Sequence, residues 1–176
     1  MKKTFTILIV LLLLFTALIG CSNNNNNNKY SAQEILDAIK AAYGEDYLPS
    51  MEMDDDMVEI SFNLDMSLVE EIAAEMPALT FHPDKVAVVK AQSGKGEAVE
   101  GALKAAQQEI VANGLFYPSG MYKRDSIQVV RNGDYVAFIM LGAIDKEIDS
   151  KTEEEKLEFA KAEVQKGVDA FNSLFN

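Results

Sequence analysis

Ser126-Ile127-Gln128-Val129-Val130-Arg131-Asn132-Gly133-Asp134-Tyr135-Val136-Ala137-Phe138-Ile139-Met140-Leu141 is the stretch whose reading decides the fold. Two apolar runs, rich in β-branched and aromatic residues, flank Arg131-Asn132-Gly133-Asp134. Asn-Gly is the preferred central pair of a two-residue type I′ hairpin turn, because both positions of that turn need positive φ. On that reading Arg131 and Asp134 face each other across the turn. The returning run from Tyr135 to Leu141 is apolar on both faces, so it belongs in the middle of a sheet with cover on both sides.

Toward the N-terminus, Lys85 to Ala91 contains Val86-Ala87-Val88-Val89, a second strand signal. Gly94-Lys95-Gly96 follows it. The upstream glycine of a phosphate-binding loop is missing, since Val89 stands in its place, so this is a plain strand-to-helix turn. Glu97 to Ala112 reads as a helix with Val99, Ala102, Leu103, Ala106 and Ile110 on one face and Asn113-Gly114 as its cap. Strand, helix and strand 126–131 form a β-α-β unit, and the hairpin's return strand 135–141 lies between the two strands, antiparallel to both. The predicted fold class is α+β: a small antiparallel sheet, split β-α-β with a hairpin, covered by helices on both faces.

The flanks read mostly as helix. Ser31 and Glu34 make a capping box for a helix with Ile35, Leu36, Ile39, Ala42 and Tyr43 on its apolar face, and Tyr30 is placed to staple onto Ile35. Asp54, Asp55 and Asp56 favour a helix start with Met57, Ile60 and Leu64 as a weak stripe. Leu68 to Met76 reads as a further helix, capped by Ser67 with Glu70 and stopped by Pro77. Thr152-Glu153-Glu154-Glu155 is another capping box, opening a C-terminal helix over 152–174 with Leu157, Ala160, Val164, Val168 and Phe171 as its stripe.

The first residues predict an address rather than a fold. Met1-Lys2-Lys3 is a basic n-region and Phe5 to Ile19 an apolar h-region too short to span a bilayer, so residues 1–20 read as a lipoprotein signal peptide. Cys21, the chain's one cysteine, directly follows Leu18-Ile19-Gly20 and resembles the cysteine of a bacterial lipobox, whose thiol carries a diacylglyceryl anchor. Two buried acyl chains hold a protein on a membrane where one barely does. Residues 21–29, with Asn23 to Asn28, read as a flexible tether, and residues 30–176 as a single extracytoplasmic domain.

Composition narrows the function classes. The 176 residues hold 28 acidic and 16 basic side chains, a net charge of −12, which opposes a nucleic-acid partner. Loss of Lys2 and Lys3 with the signal peptide takes it to −14. One histidine removes any site needing two imidazoles. Glu52, Asp54, Asp55, Asp56 and Glu59 offer carboxylate oxygens suited to Ca²⁺, but without the glycine turn and twelfth-position glutamate of an EF-hand; a solvated helix N-terminus accounts for them. His82-Pro83-Asp84 reads as a turn before a strand, and no Gly-x-Ser-x-Gly elbow supplies a nucleophile for it.

Tyr47-Leu48-Pro49 with Met51-Glu52, Glu75-Met76-Pro77, Val86 to Ala91 leading into Val99 to Leu103, Tyr117-Pro118, and Gly133-Asp134-Tyr135-Val136 with Met140-Leu141-Gly142 resemble, in that order, a family of small lipoproteins of Firmicutes-type bacteria carrying a domain of unknown function. The resemblance covers most of Ser31 to Gly142 and implies a membrane-anchored extracytoplasmic domain, with no activity to transfer. The expectation is a noncatalytic binding or adaptor domain, lipid-anchored through Cys21 on the outer face of the cell membrane, with an envelope protein or small ligand as partner. No catalytic, metal-ligating or cofactor-binding residue is singled out, and no cofactor is expected. A cation- or solute-capturing lipoprotein and a carboxylate-based envelope hydrolase are the alternatives.

Overall fold

The computed structural model describes residues 29–78 and 82–176. The signal peptide, Cys21 and the tether up to Asn28 lie outside the described residues. The elements, in order, are α1 (Ala32–Tyr43), β1 (Met51–Glu52), α2 (Asp55–Phe62), β2 (Val69–Met76) and β3 (Lys85–Ala91). Then come α3 (Gly96–Asn113), α4 (Met121–Arg124), β4 (Gln128–Asn132), β5 (Tyr135–Met140) and α5 (Glu153–Ser173). The fold is α+β, with five strands in one antiparallel sheet ordered β1-β2-β3-β5-β4.

The hairpin forms, and its apolar return strand lies inside the sheet as its composition requires. β5 pairs with β4 on one side and β3 on the other, Lys85 standing opposite Met140 and Gln128 opposite Ile139. The turn falls one residue later than expected. Asn132 pairs with Tyr135, leaving Gly133-Asp134 as the central residues, with Gly133 at φ 60°. Positive φ at the first central residue alone is the type II′ pattern, which asks for glycine there. Arg131 therefore lies opposite Val136 rather than Asp134, and its Nε donates to Glu100 (2.7 Å). Asp134 turns instead to the start of α3, where its carboxylate accepts the Gly94 N–H (2.9 Å) and the Gly96 N–H (3.0 Å). A Cβ on Gly96 would stand 2.2 Å from the Gly133 oxygen, so this docking of turn on helix start needs glycine.

The segment expected as a helix from Leu68 to Met76 is strand β2, hydrogen-bonded between β1 and β3. A register shift between Val69 and Glu71 explains the misleading pattern. A bulge adds one residue and so reverses the alternation of faces. Val69 and Ile72, three apart, thereby reach the same cluster as Ala74 and Met76, a spacing that imitates a helix. Helix-forming Glu and Ala yield to pairing with a buried neighbour strand. The stripe on α2 also differs: Val58 and Phe62 are buried, Ile60 is 84% exposed, and Leu64 is buried beyond the left-handed Asn63 that ends the helix.

Both sheet faces are covered. α1 and α5 pack Ile35, Leu36, Ile39, Val164 and Phe171 on Tyr135, Ala137 and Ile139. α2 and α3 pack Phe62, Val99 and Leu103 on Val136, Phe138 and Met140, with the Phe62 and Phe138 rings 4.9 Å apart at 60°. Each such side chain contributes roughly 1.5–3 kcal/mol by leaving water. The capping boxes at Ser31 and Thr152 are formed as expected, and Tyr30 packs edge-on against Phe175. Among the described residues, no helix is long and apolar enough to cross a membrane.

Candidate functional site

His82-Pro83-Asp84 leads into β3, the short helix α4 presents Lys123, and Gly142 lies just past β5. These three segments meet at one end of the sheet. Asp84 is 1% exposed and Lys123 4%. Lys123 Nζ donates to Asp84 Oδ1 (2.7 Å) and to the Gly142 carbonyl (2.8 Å), while the Gly142 N–H donates to Asp84 Oδ2 (3.2 Å). Burial pushes the Asp84 carboxyl above its ordinary range; the Lys123 charge and hydrogen bond, His82 and the Gly142 N–H pull the other way. A buried pair with all its neighbours engaged is a clasp, since breaking it would strand a charge in the interior.

A second tie lies beside the first. Glu163 of α5 is buried, accepts the Ala143 N–H (3.0 Å) and pairs with Lys166 (2.6 Å). Tyr43 of α1 donates to the Glu163 carbonyl (2.9 Å) and accepts the Gly167 N–H (3.2 Å), and burial holds its hydroxyl well above the usual phenol range. Among the described residues no buried side-chain nitrogen or oxygen lacks a partner. These groups fix α1, α4, α5 and the sheet end to one another.

A cleft of about 220 Å³ opens next to the clasp. Its apolar wall comes from Met76, Ile110, Phe116 and Met140, and its polar wall from His82, Asp84 and Lys85. The Asp84 N–H donates to His82 Nδ1 (3.4 Å), and burial, opposed by the Asp84 charge and helped by that of Lys123, pushes the imidazole below its ordinary value. Burial likewise lowers the Lys85 amine. Leu115, fully exposed, and Tyr117, 62% exposed, stand on the rim.

The other residues singled out in the sequence lie elsewhere. Asp54 caps α2 by accepting the Met57 N–H (2.8 Å), Asp55 and Asp56 lie in that helix's first turn, and Glu52 is on β1. They border an open concavity, and among the described residues no three His, Cys, Asp or Glu side chains are gathered to hold a metal ion. His82-Pro83-Asp84 does precede a strand, but the burial of Asp84 depends on Lys123, 39 residues away. Neither Lys123 nor Lys85 carries a local signal: one sits in a tetrapeptide helix, the other at the head of an apolar strand.

The profile of a domain of unknown function, DUF4358, matches residues 42–141, more than half of the chain. No curated protein and no solved structure matches it. The matched span runs from the end of α1 through β5, so Asp84, Lys123 and the whole cleft lie within it, whereas α5 and Glu163 lie beyond. The chain thus belongs to the family of proteins that carry the domain of unknown function DUF4358.

Proposed function

We propose that this DUF4358 domain is a noncatalytic binding domain, held at the extracytoplasmic face of a cell membrane by lipid on Cys21, with the cleft at the His82–Lys85 end of the sheet as its contact surface. The anchor is supported by sequence: Cys21 follows Gly20 at the end of a basic-then-apolar leader, and a thiol there gains two acyl chains. One contrast carries the binding reading. Asp84, Lys123 and Glu163 are fully engaged inside the protein, while Leu115 and Tyr117 stand in solvent beside an open cleft. Apolar side chains grouped at a cleft mouth mark a binding surface more often than a reaction centre.

Two variants of the full chain in cells test this. Cys21→Ala should leave an unprocessed precursor that takes up no palmitate; cleavage and labelling of that variant would overturn the anchor. A photo-crosslinking amino acid at Leu115 should give defined adducts that the same probe at Glu158, exposed on α5, does not. Equal or absent adducts at the two positions would overturn the contact surface.

A further inference from the structure

The cleft holds a charge that nothing else among the described residues answers. With 28 acidic side chains available, the other buried and half-buried lysines among the described residues are matched: Lys123 with Asp84, Lys90 with Glu70 and Glu71, Lys40 with Glu75, Lys151 with Asp145, and Lys156 with Glu153. Among the described residues the Lys85 ammonium has no hydrogen-bond or ion-pair partner. It stands opposite Met140 at the end of β3, on the sheet face that packs Ala87 and Val89 against α3. Its stem therefore runs along the apolar wall of the cleft, and its ammonium ends in a partly desolvated space. A desolvated, unanswered ammonium costs stability that a Leu or Met of similar volume would not. A residue that is locally costly and lines a cleft is a candidate for binding.

We propose that the cleft binds a small amphipathic carboxylate, its anionic head on Lys85 and its hydrocarbon or aromatic body on Met76, Ile110, Phe116 and Met140. This rests on reading the cleft as the contact surface and narrows that reading to a ligand class. A single negative charge fits better than a phosphate. The cleft takes in Asp84, whose charge Lys123 answers, and Ile110 and Gly114 at the carbonyl end of α3, where the helix dipole is negative; both oppose a dianion. One ammonium is a point charge without the fork that grips phosphate bidentately. With His82 Nδ1 accepting the Asp84 N–H, the Nε2 side of the imidazole is the face that can donate to a ligand from the polar wall. The volume is below the roughly 300–1,000 Å³ of sites for drug-sized ligands, so the body must be short.

The test uses the full chain in detergent micelles with ¹³C-methyl methionine, read by NMR, with 3-phenylpropionate, 3-phenylpropanol and phenyl phosphate as probes. Saturable shifts of the Met76 and Met140 methyls with 3-phenylpropionate are expected, with Met66, in the turn that precedes β2, unmoved. Lys85→Leu should weaken the carboxylate roughly tenfold or more, equivalent to the loss of one charge-assisted contact, and leave the alcohol unchanged. Lys85→Arg should retain carboxylate binding. If the alcohol binds as tightly as the acid, if Lys85→Leu binds the acid like wild type, or if phenyl phosphate binds best, the ligand class is wrong while the cleft stands as a binding surface. If no probe moves either methyl, the ligand class and the small-ligand use of the cleft both fall.

Discussion

Lys123 and Lys85 sit at the same end of the sheet and have opposite circumstances. Lys123 is the more deeply buried, yet its ammonium meets a carboxylate at 2.7 Å and a carbonyl at 2.8 Å. Lys85 is half-buried and meets neither among the described residues. Depth of burial therefore does not decide what a charge does to a fold; what decides it is whether the surrounding chain supplies the hydrogen bonds that water gave up. The first lysine holds three segments together. The second leaves a cation facing a cleft.

The sharpest way to break this comparison is to remove each charge in turn. Lys123→Met leaves Asp84 buried with only the Gly142 N–H and His82 nearby, and should cost about 3–5 kcal/mol, as unpairing a buried ion does. On a chain of this size that lowers Tm by at least about 6 °C, measured by circular dichroism. The double variant Asp84→Leu/Lys123→Met should recover a large part of the loss, because no charge is then stranded. A single variant that melts with wild type would mean the clasp is open in solution.

A smaller effect is expected where the buried charge is answered by backbone. Asp134 holds the Gly94 and Gly96 N–H groups and so caps α3 from the hairpin turn. Asp134→Ala should cost about 1–2 kcal/mol, the range for losing a helix cap, while Asp134→Asn, which keeps one acceptor oxygen, should lose less. Urea denaturation distinguishes them. Equal losses from both would assign the effect to charge rather than to the accepted hydrogen bonds.

Local signals carried the sheet's centre and missed its edge. The β5 run could be placed because every residue from Tyr135 to Leu141 is apolar, which only a doubly covered strand tolerates, and its neighbours on either side followed from the turn and the β-α-β connection. β2 was hidden by the bulge that gives Val69 and Ile72 a helical spacing, and by glutamates whose use is set from outside the segment: Glu71 accepts the Ala32 N–H (3.0 Å), and Glu75 meets Lys40 and Tyr47. Asn-Gly suits a type I′ turn so well that it points to a hairpin one residue too early; Asp134, drawn to the α3 start, moves the turn to Gly133-Asp134. Of the site, the strand-flanking place of His82-Pro83-Asp84 was legible. Its pairing with Lys123 was not, since a contact across 39 residues leaves no trace in spacing, and an unanswered lysine is recognised only by what fails to surround it.

The smallest expected effect is also the most diagnostic. Lys85→Leu should not destabilise the protein; it should raise Tm by about 1–3 °C at neutral pH, as relief of up to about 1 kcal/mol does in a chain of this length. The gain should depend on pH with a defined sign. Burial lowers the Lys85 amine below its ordinary 10.5, so the unfolded chain holds this proton more tightly than the folded one. Wild-type stability relative to Lys85→Leu must then rise with pH across the window between the lowered value and 10.5, because the unfolded state binds more protons there. Below that window both states are protonated, the cost is constant, and the variant's advantage is fully present. As pH climbs toward 10.5 the folded amine becomes neutral first and the advantage shrinks. Comparing the two proteins at each pH cancels the titration of groups both retain, such as Lys90, whose two glutamates hold its amine well above the usual lysine range. A Lys85→Leu variant that melts below wild type at neutral pH, or whose difference from wild type widens with alkali, would mean that Lys85 is answered within the folded chain, and the contrast with Lys123 would disappear.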